Sequence, residues 1–146
     1  MSVERRYQAR VIGNGLRELD RFLSILLDEL GMAAGWTAEE LGPLARTRNT
    51  PNKLELICFR MNIEGRPDEH LRALGRCRDM LFHCDGVVRR GDHRHAKTLT
   101  LGWPADTGKG MSQILQLGDC LSISPADLAW ICAFYIRVGD SLLRTD

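Results

Sequence analysis

The chain has 146 residues, 44% hydrophobic and 27% charged, and a formal net charge of +1. That length suits one compact domain whose core needs no disulfide, and the composition is ordinary, with no repeat or low-complexity tract. A charge so close to neutral gives no bulk argument for nucleic acid.

Residues 3–30 read as a long amphipathic helix, because Ile12, Leu16, Leu19, Leu23, Leu26 and Leu30 recur at three- and four-residue steps in one apolar stripe. Gly31 supplies a stop signal. Gly13 and Gly15 each weaken a helix by about 1 kcal/mol relative to alanine and mark either a break or a close helix crossing. Thr37-Ala38-Glu39-Glu40 is a capping box that opens a short helix to residue 46, with Pro43 tolerable in its first turns. Thr50-Pro51 starts a helix over residues 51–63, with Leu54, Ile57, Cys58 and Met61 inward. Gly65-Arg66-Pro67 ends that element and begins a helix over residues 67–83, and Asp85-Gly86 reads as the turn after it.

From residue 87 to 124 the helical period fades. Thr98-Leu99-Thr100-Leu101 alternates, as does the run over 115–123, which predicts a small hairpin or a long structured loop; a helix over 110–117 competes. Ser124-Pro125-Ala126-Asp127 combines a cap, a first-turn proline and an acid favoured by the helix dipole. It opens a last helix to residue 143, with Leu128, Ile131, Tyr135, Val138 and Leu142 inward. The expected fold is all-α: four main helices in a bundle, with a hairpin or loop insertion before the last, as a single domain over residues 1–146.

Five cysteines, at 58, 77, 84, 120 and 132, form no CxxC pair. Three of them lie in apolar helical stretches, where a free thiol behaves as a small hydrophobe, so a reduced, cytoplasmic chain is expected. The first residues lead into a charged amphipathic segment and not a signal core. The longest apolar run, 128–136, falls far short of the roughly 20 residues that a membrane span needs.

Charge is unevenly spread. Between residues 66 and 97 lie eight Arg or Lys against five acids, together with all four histidines. On a wheel of about 100° per residue, Leu71, Leu74, Cys77, Leu81 and Phe82 share a broad face of the helix over 67–83. Arg78 falls inside that face, whereas Arg72, Arg76, Asp79 and His83 lie on the other. An arginine in an apolar stripe must find a partner, reach water along its stem or line an interface.

Arg78-Asp79-Met80-Leu81-Phe82-His83 is an arginine, a polar residue, three variable positions and a histidine, late on a helix. It resembles the signature of the HEPN domains, small helical modules many of which cut RNA. The resemblance rests on these six residues and, loosely over most of the chain, on size and helix order. It implies a four-helix, up-and-down HEPN-like bundle that forms a homodimer with a composite active site. It also implies a metal-independent endoribonuclease in which the RNA 2′-hydroxyl attacks its own phosphodiester, leaving a 2′,3′-cyclic phosphate and a 5′-hydroxyl. His83 would move protons, Arg78 would hold the phosphate and oppose its growing charge, and Asp79 would support them, with no cofactor. The family further implies a toxin–antitoxin setting with an antitoxin or nucleotidyltransferase partner. The stretch before the last helix departs from the simplest members, as an insertion that covers or extends the cleft.

Arg78 and His83 would point about 140° apart on a regular helix. One phosphate can meet both only if the helix frays near His83 or if two chains pair. The competing class is a non-catalytic helical module that binds RNA or a protein partner. There Arg78 pairs with Glu39, Glu55 or another acid, and His83 is a surface residue at the negative helix end.

Around the motif, Arg72 and Arg76 on the helix and Arg89, Arg90, Arg94 and Lys97 in a basic loop over 89–97 are candidate phosphate contacts. His93 and His95, with Asp92, Asp85 and Cys84 near, do not read as a zinc set, because Arg94 between the histidines disfavours a cation; no metal is expected. There is no GxxxxGK[ST], GxSxG or HExxH pattern. Trp36, Trp103 and Trp130 read as core or interface anchors before base-stacking platforms.

Overall fold

The computed structural model describes residues 2–65, 67–104 and 113–144. Among these residues the chain is mostly helical with one small sheet: α1 (Val3–Ala33), α2 (Ala38–Arg46), α3 (Thr50–Met61), α4 (Pro67–His83), β1 (Thr98–Thr100), β2 (Ile114–Gln116) and α5 (Pro125–Leu143). No helix among the described residues is long and apolar enough to cross a membrane.

Local chemistry accounts for the helix ends. The Ser2 side chain accepts from the Arg5 N–H to start α1. Thr37 forms the capping box with Glu40 that its spacing predicts, and Ser124, expected as a cap, also forms a full box, with Asp127. The start of α3 differs from expectation by one residue. Asn49 is its cap, accepting from the Asn52 N–H at 3.1 Å, so Thr50 is already helical. Asn62, in the left-handed region at φ 53°, ends that helix before residue 63.

Gly31 does not stop α1. The helix continues to Ala33, and Gly35 (φ 72°) takes the left-handed position instead. Gly31 is buried where a Cβ would lie 2.8 Å from a Leu44 methyl, so its smallness admits α2. Gly13 marks a crossing and not a break: a Cβ there would lie 2.8 Å from the Phe82 backbone nitrogen of α4. Leu16, Leu23 and Leu27 of α1 pack with Leu54 and Ile57 of α3 and with Leu71, Leu74, Cys77 and Leu81 of α4 in one buried cluster. In α5 the inward residues are Ile131, Phe134, Val138 and Leu142. Phe134, not Tyr135, takes the buried position, and its ring lies 5.4 Å from the His70 ring of α4.

The expected hairpin forms between β1 and β2, antiparallel, with Leu99 opposite Leu115. Its second strand is shorter than the alternation over 115–123 suggests. Leu117-Gly118 turns, Gly118 at φ 91°, and the Asp119 carboxylate accepts the Gln116 N–H at 2.8 Å. The competing helix over 110–117 fails at 114–116, which is strand; residues 110–112 lie outside the described ones. Leu99, Leu101 and Trp103 are buried, and a Cβ on Gly102 would meet the Leu74 backbone nitrogen at 2.7 Å. The hairpin is thereby laid against α4, the helix that carries the motif.

All five cysteines are free thiols. Burial pushes the Cys77 thiol up to about 11, against smaller downward pulls from the Gly102 backbone and Arg76. Since the thiolate is the nucleophile, native protein treated with iodoacetamide at pH 8 is expected to be alkylated at exposed Cys120 and Cys132 and spared at Cys77. Peptide mass mapping reads this directly; early modification of Cys77 would contradict the packing of β1 on α4.

Candidate nucleic-acid interface

Arg78 sits where three helices meet. Its Nη1 lies 3.5 Å from Asp20 Oδ2 of α1, while its Nε and Nη2 each donate to Asp79 Oδ1 at 3.2 Å. Asp20 Oδ2 also accepts from the Thr50 hydroxyl of α3 at 2.8 Å. The Arg78 partners are thus Asp20 and Asp79. The two acids anticipated from sequence go elsewhere: Glu55 pairs with Arg72 at 3.2 Å, and Glu39 makes no ion pair among the described residues. Tyr135 of α5 senses the junction: burial and then the Asp20 charge push its phenol up, against a pull from Arg78. Arg78 is nonetheless open, with 23% of its side chain exposed.

His83 is the last residue of α4, exposed, its ring edge-on to Phe82 at 4.9 Å. Arg17 of α1 lies 4.4 Å above the other ring, that of Phe82. The helix is intact to this point, and the Met80 carbonyl accepts the N–H groups of Cys84 and Gly86 at 3.1 and 2.9 Å. Fraying therefore does not bring His83 round to Arg78. Within one chain the two motif ends stay apart, and His83 lines neither of the two cavities described next.

One cavity, of about 390 Å³, has Arg78 in its wall with Asp20, Arg48, Arg72, Arg76 and Asp79. A second, of about 590 Å³, lies between α4, the 89–96 loop and the hairpin. Among the described residues, four arginines line it (Arg76, Arg89, Arg90 and Arg94), together with His93 and His95, and Asp79 is its one acid. Arg76 and Asp79 border both cavities, which makes the polar side of α4 a ridge between two basic recesses. Five of the six candidate phosphate contacts are gathered here. Lys97 is exposed and lines neither recess; its carbonyl accepts the Leu117 N–H.

The arginines differ in freedom. Arg72 is held by Asn52 at 2.8 Å and by Glu55 and Asp68. Arg76 Nε lies 3.3 Å from Asp92 Oδ1 but out of line for a hydrogen bond. Among the described residues, Arg89, Arg90 and Arg94 have no acid within ion-pair distance, and unpaired guanidiniums facing a recess are suited to an anion.

Asp92 anchors the loop. It accepts the Thr100 N–H at 2.8 Å and the Thr100 hydroxyl at 2.6 Å, and its own N–H donates to Thr98 O. Burial works to raise its carboxyl, but the Thr100 hydrogen bonds and the Arg76 and His93 charges outweigh it and hold the pKa below the usual carboxylate range. A depressed folded pKa means the stabilisation is complete above the unfolded value of about 3.9 and is lost as pH falls through the lower folded value. Asp92→Ala is expected to cost about 1–2 kcal/mol at pH 7. The gap from wild type should close as urea unfolding is repeated at pH values descending below about 4. A gap unchanged down to acid pH would contradict the ionised anchor.

Reasoning from sequence missed Arg48, Asp20 and Thr50. Asp20 had a signal: it stands four residues after Leu16 and three before Leu23, inside the α1 stripe. An acid in one apolar stripe is the natural counterpart of an arginine in another. Among the described residues no group of three or more His, Cys, Asp or Glu side chains is placed to hold a metal ion. No family model matches the chain, and neither a curated protein nor a solved structure does.

Proposed function

We propose that this chain is an RNA-directed helical module of the HEPN kind, an up-and-down bundle. In this reading it lays an RNA backbone along the polar side of α4 and cuts it, without metal, where two copies pair. The single observation that carries the reading is the pair of basic recesses flanking Arg76 and Asp79, one of them containing the accessible edge of Arg78. Three loop arginines, without acid partners among the described residues, supply the phosphate affinity. Cleavage then needs a proton carrier beside the phosphate. His83 is exposed but turned away from Arg78 of its own chain, so the carrier is His83 of a second copy. The 2′-hydroxyl attacks the adjacent phosphorus as it loses its proton, the 5′-oxygen leaves with a proton, and Arg78 opposes the charge on the non-bridging oxygens. An antitoxin or nucleotidyltransferase partner follows from the resemblance alone.

A second reading has its own support. The tie from Arg78 to Asp20, itself held by Thr50, gives the arginine a structural task sufficient to explain its position. On that reading the module binds RNA or a protein without cutting.

Product chemistry separates the two. Mixed RNA incubated with the protein and a chelator is expected to yield 2′,3′-cyclic phosphate and 5′-hydroxyl ends, while DNA of the same sequence stays intact. Cutting that stops with the chelator, cutting of the DNA, or no cutting would contradict the enzyme reading.

A further inference from the structure

We propose that the recess between α4, the 89–96 loop and the hairpin is a nucleotide pocket, taking one unstacked base against its apolar wall with the attached phosphate on the loop arginines. This rests on the reading above for its choice of RNA, and it adds the substrate class: single-stranded, not duplex. At about 590 Å³ the recess is within the size range of small-ligand sites. Its lining is divided. Leu117 and Ala96 supply apolar surface over the buried Met80 and Leu99, whereas Arg89, Arg90 and Arg94 supply guanidiniums without acid partners among the described residues. A bare phosphate site has no use for the first set, and a hydrophobic docking groove none for the second. A nucleotide uses both, because a base has an apolar face and its phosphate a fixed charge. A duplex keeps its bases stacked inside and offers only its backbone to such a recess.

The recess is also built in advance. Asp92 ties the loop to Thr100 and faces Arg76. Gly91 packs so closely on Ala96 that an added Cβ would lie 2.7 Å from the Ala96 Cβ. Gly118 N–H donates to Val88 O at 2.8 Å, and Val88 N–H to Asp119 O at 2.9 Å, so the loop is joined to the far end of the hairpin. Arginines on a loop fixed this way lose less freedom on binding. Beyond α4 the pocket wall comes from the 89–96 loop, Leu99 and Leu117, all in the stretch that precedes the last helix.

The test uses fluorescence anisotropy with a labelled single-stranded 12-nucleotide RNA and the same sequence in a duplex, in chelator, on the full chain carrying His83→Ala to prevent cutting. Two further variants are added to it: Arg90→Ala with Arg94→Ala, and Leu117→Ser, whose site is 45% exposed and so leaves folding intact by circular dichroism. Single strands are expected to bind about tenfold tighter than duplex. The arginine pair should weaken both about tenfold and lower the salt slope by about two. Leu117→Ser should weaken the single strand alone, by about fivefold, the size of a lost base contact. Adenosine and uridine monophosphates are titrated as competitors. Displacement of the strand at or below its own concentration range of binding assigns the pocket to free nucleotides; failure to displace assigns it to a nucleotide within a strand. Equal affinity for duplex and single strand, indifference to Leu117→Ser, or no binding overturns the pocket. The outcome is separable from catalysis. Strand binding with these dependences stands even if no RNA is cut, and cutting by chains with His83 intact that ignores the Arg90, Arg94 and Leu117 substitutions removes the pocket while leaving the cleavage reading.

Discussion

Replacing His83 with alanine is expected to lower RNA cutting by about 100-fold or more, the ordinary scale of a lost general acid or base, with no loss of fold. The side chain is exposed at the end of α4, its ring set edge-on against that of Phe82, and it is not among the residues of the core cluster. Surface changes of that kind move stability by about 0.5 kcal/mol or less, so thermal unfolding should be unchanged while the cleavage rate collapses. Arg78→Ala is a poorer probe, since it strips Asp20 and Asp79 of their partner at the junction of α1, α3 and α4 and lowers stability and activity together. Arg78→Lys separates these. It keeps a charge for Asp20 but loses the forked donor geometry that fits a phosphate, so its activity should fall further than its stability. Rates equal to wild type in His83→Ala would mean that the motif histidine takes no part.

The second large effect is on the fold and divides two neighbouring glycines. Gly13→Ala is expected to destabilise the protein by about 1–3 kcal/mol, the cost of overpacking, even though alanine is the better helix former by about 1 kcal/mol. Its Cβ would sit 2.8 Å from the Phe82 backbone nitrogen, which α4 cannot move without shifting the whole helix. Gly15→Ala meets nothing within 4 Å and should stabilise by up to about 1 kcal/mol on propensity alone. Urea denaturation of the two variants checks both signs in one series. The contact matters beyond stability, because the α1 crossing at Phe82 also sets where the adjacent His83 stands.

Helix existence was legible because it rests on short-range signals. Thr37, Ser124 and the proline at 67 announce their helices within a turn, and the stripes along α1 and α4 repeat every three or four residues. The glycines were harder, since Gly13, Gly15 and Gly31 look alike in sequence. Their meaning depends on what lies opposite: Phe82, open space and Leu44 respectively. Arg78 stood out as an apolar-face arginine, but its partner did not, because Asp20 is 58 positions away and only the helix crossing unites them. For the same reason the basic loop was visible as charge, while the recess it forms with Met80, Leu99 and Leu117 belongs to tertiary packing alone.

On the proposed reading, cutting depends on two copies joining to place His83 of one beside Arg78 of the other. The rate of RNA cutting per chain, followed as the protein is diluted and compared with its mass by light scattering at each concentration, tests this most directly. The rate per chain should fall away in step with the paired species. A rate per chain that persists unchanged in a solution containing only single chains, or the absence of cutting where the chains are paired, would contradict it.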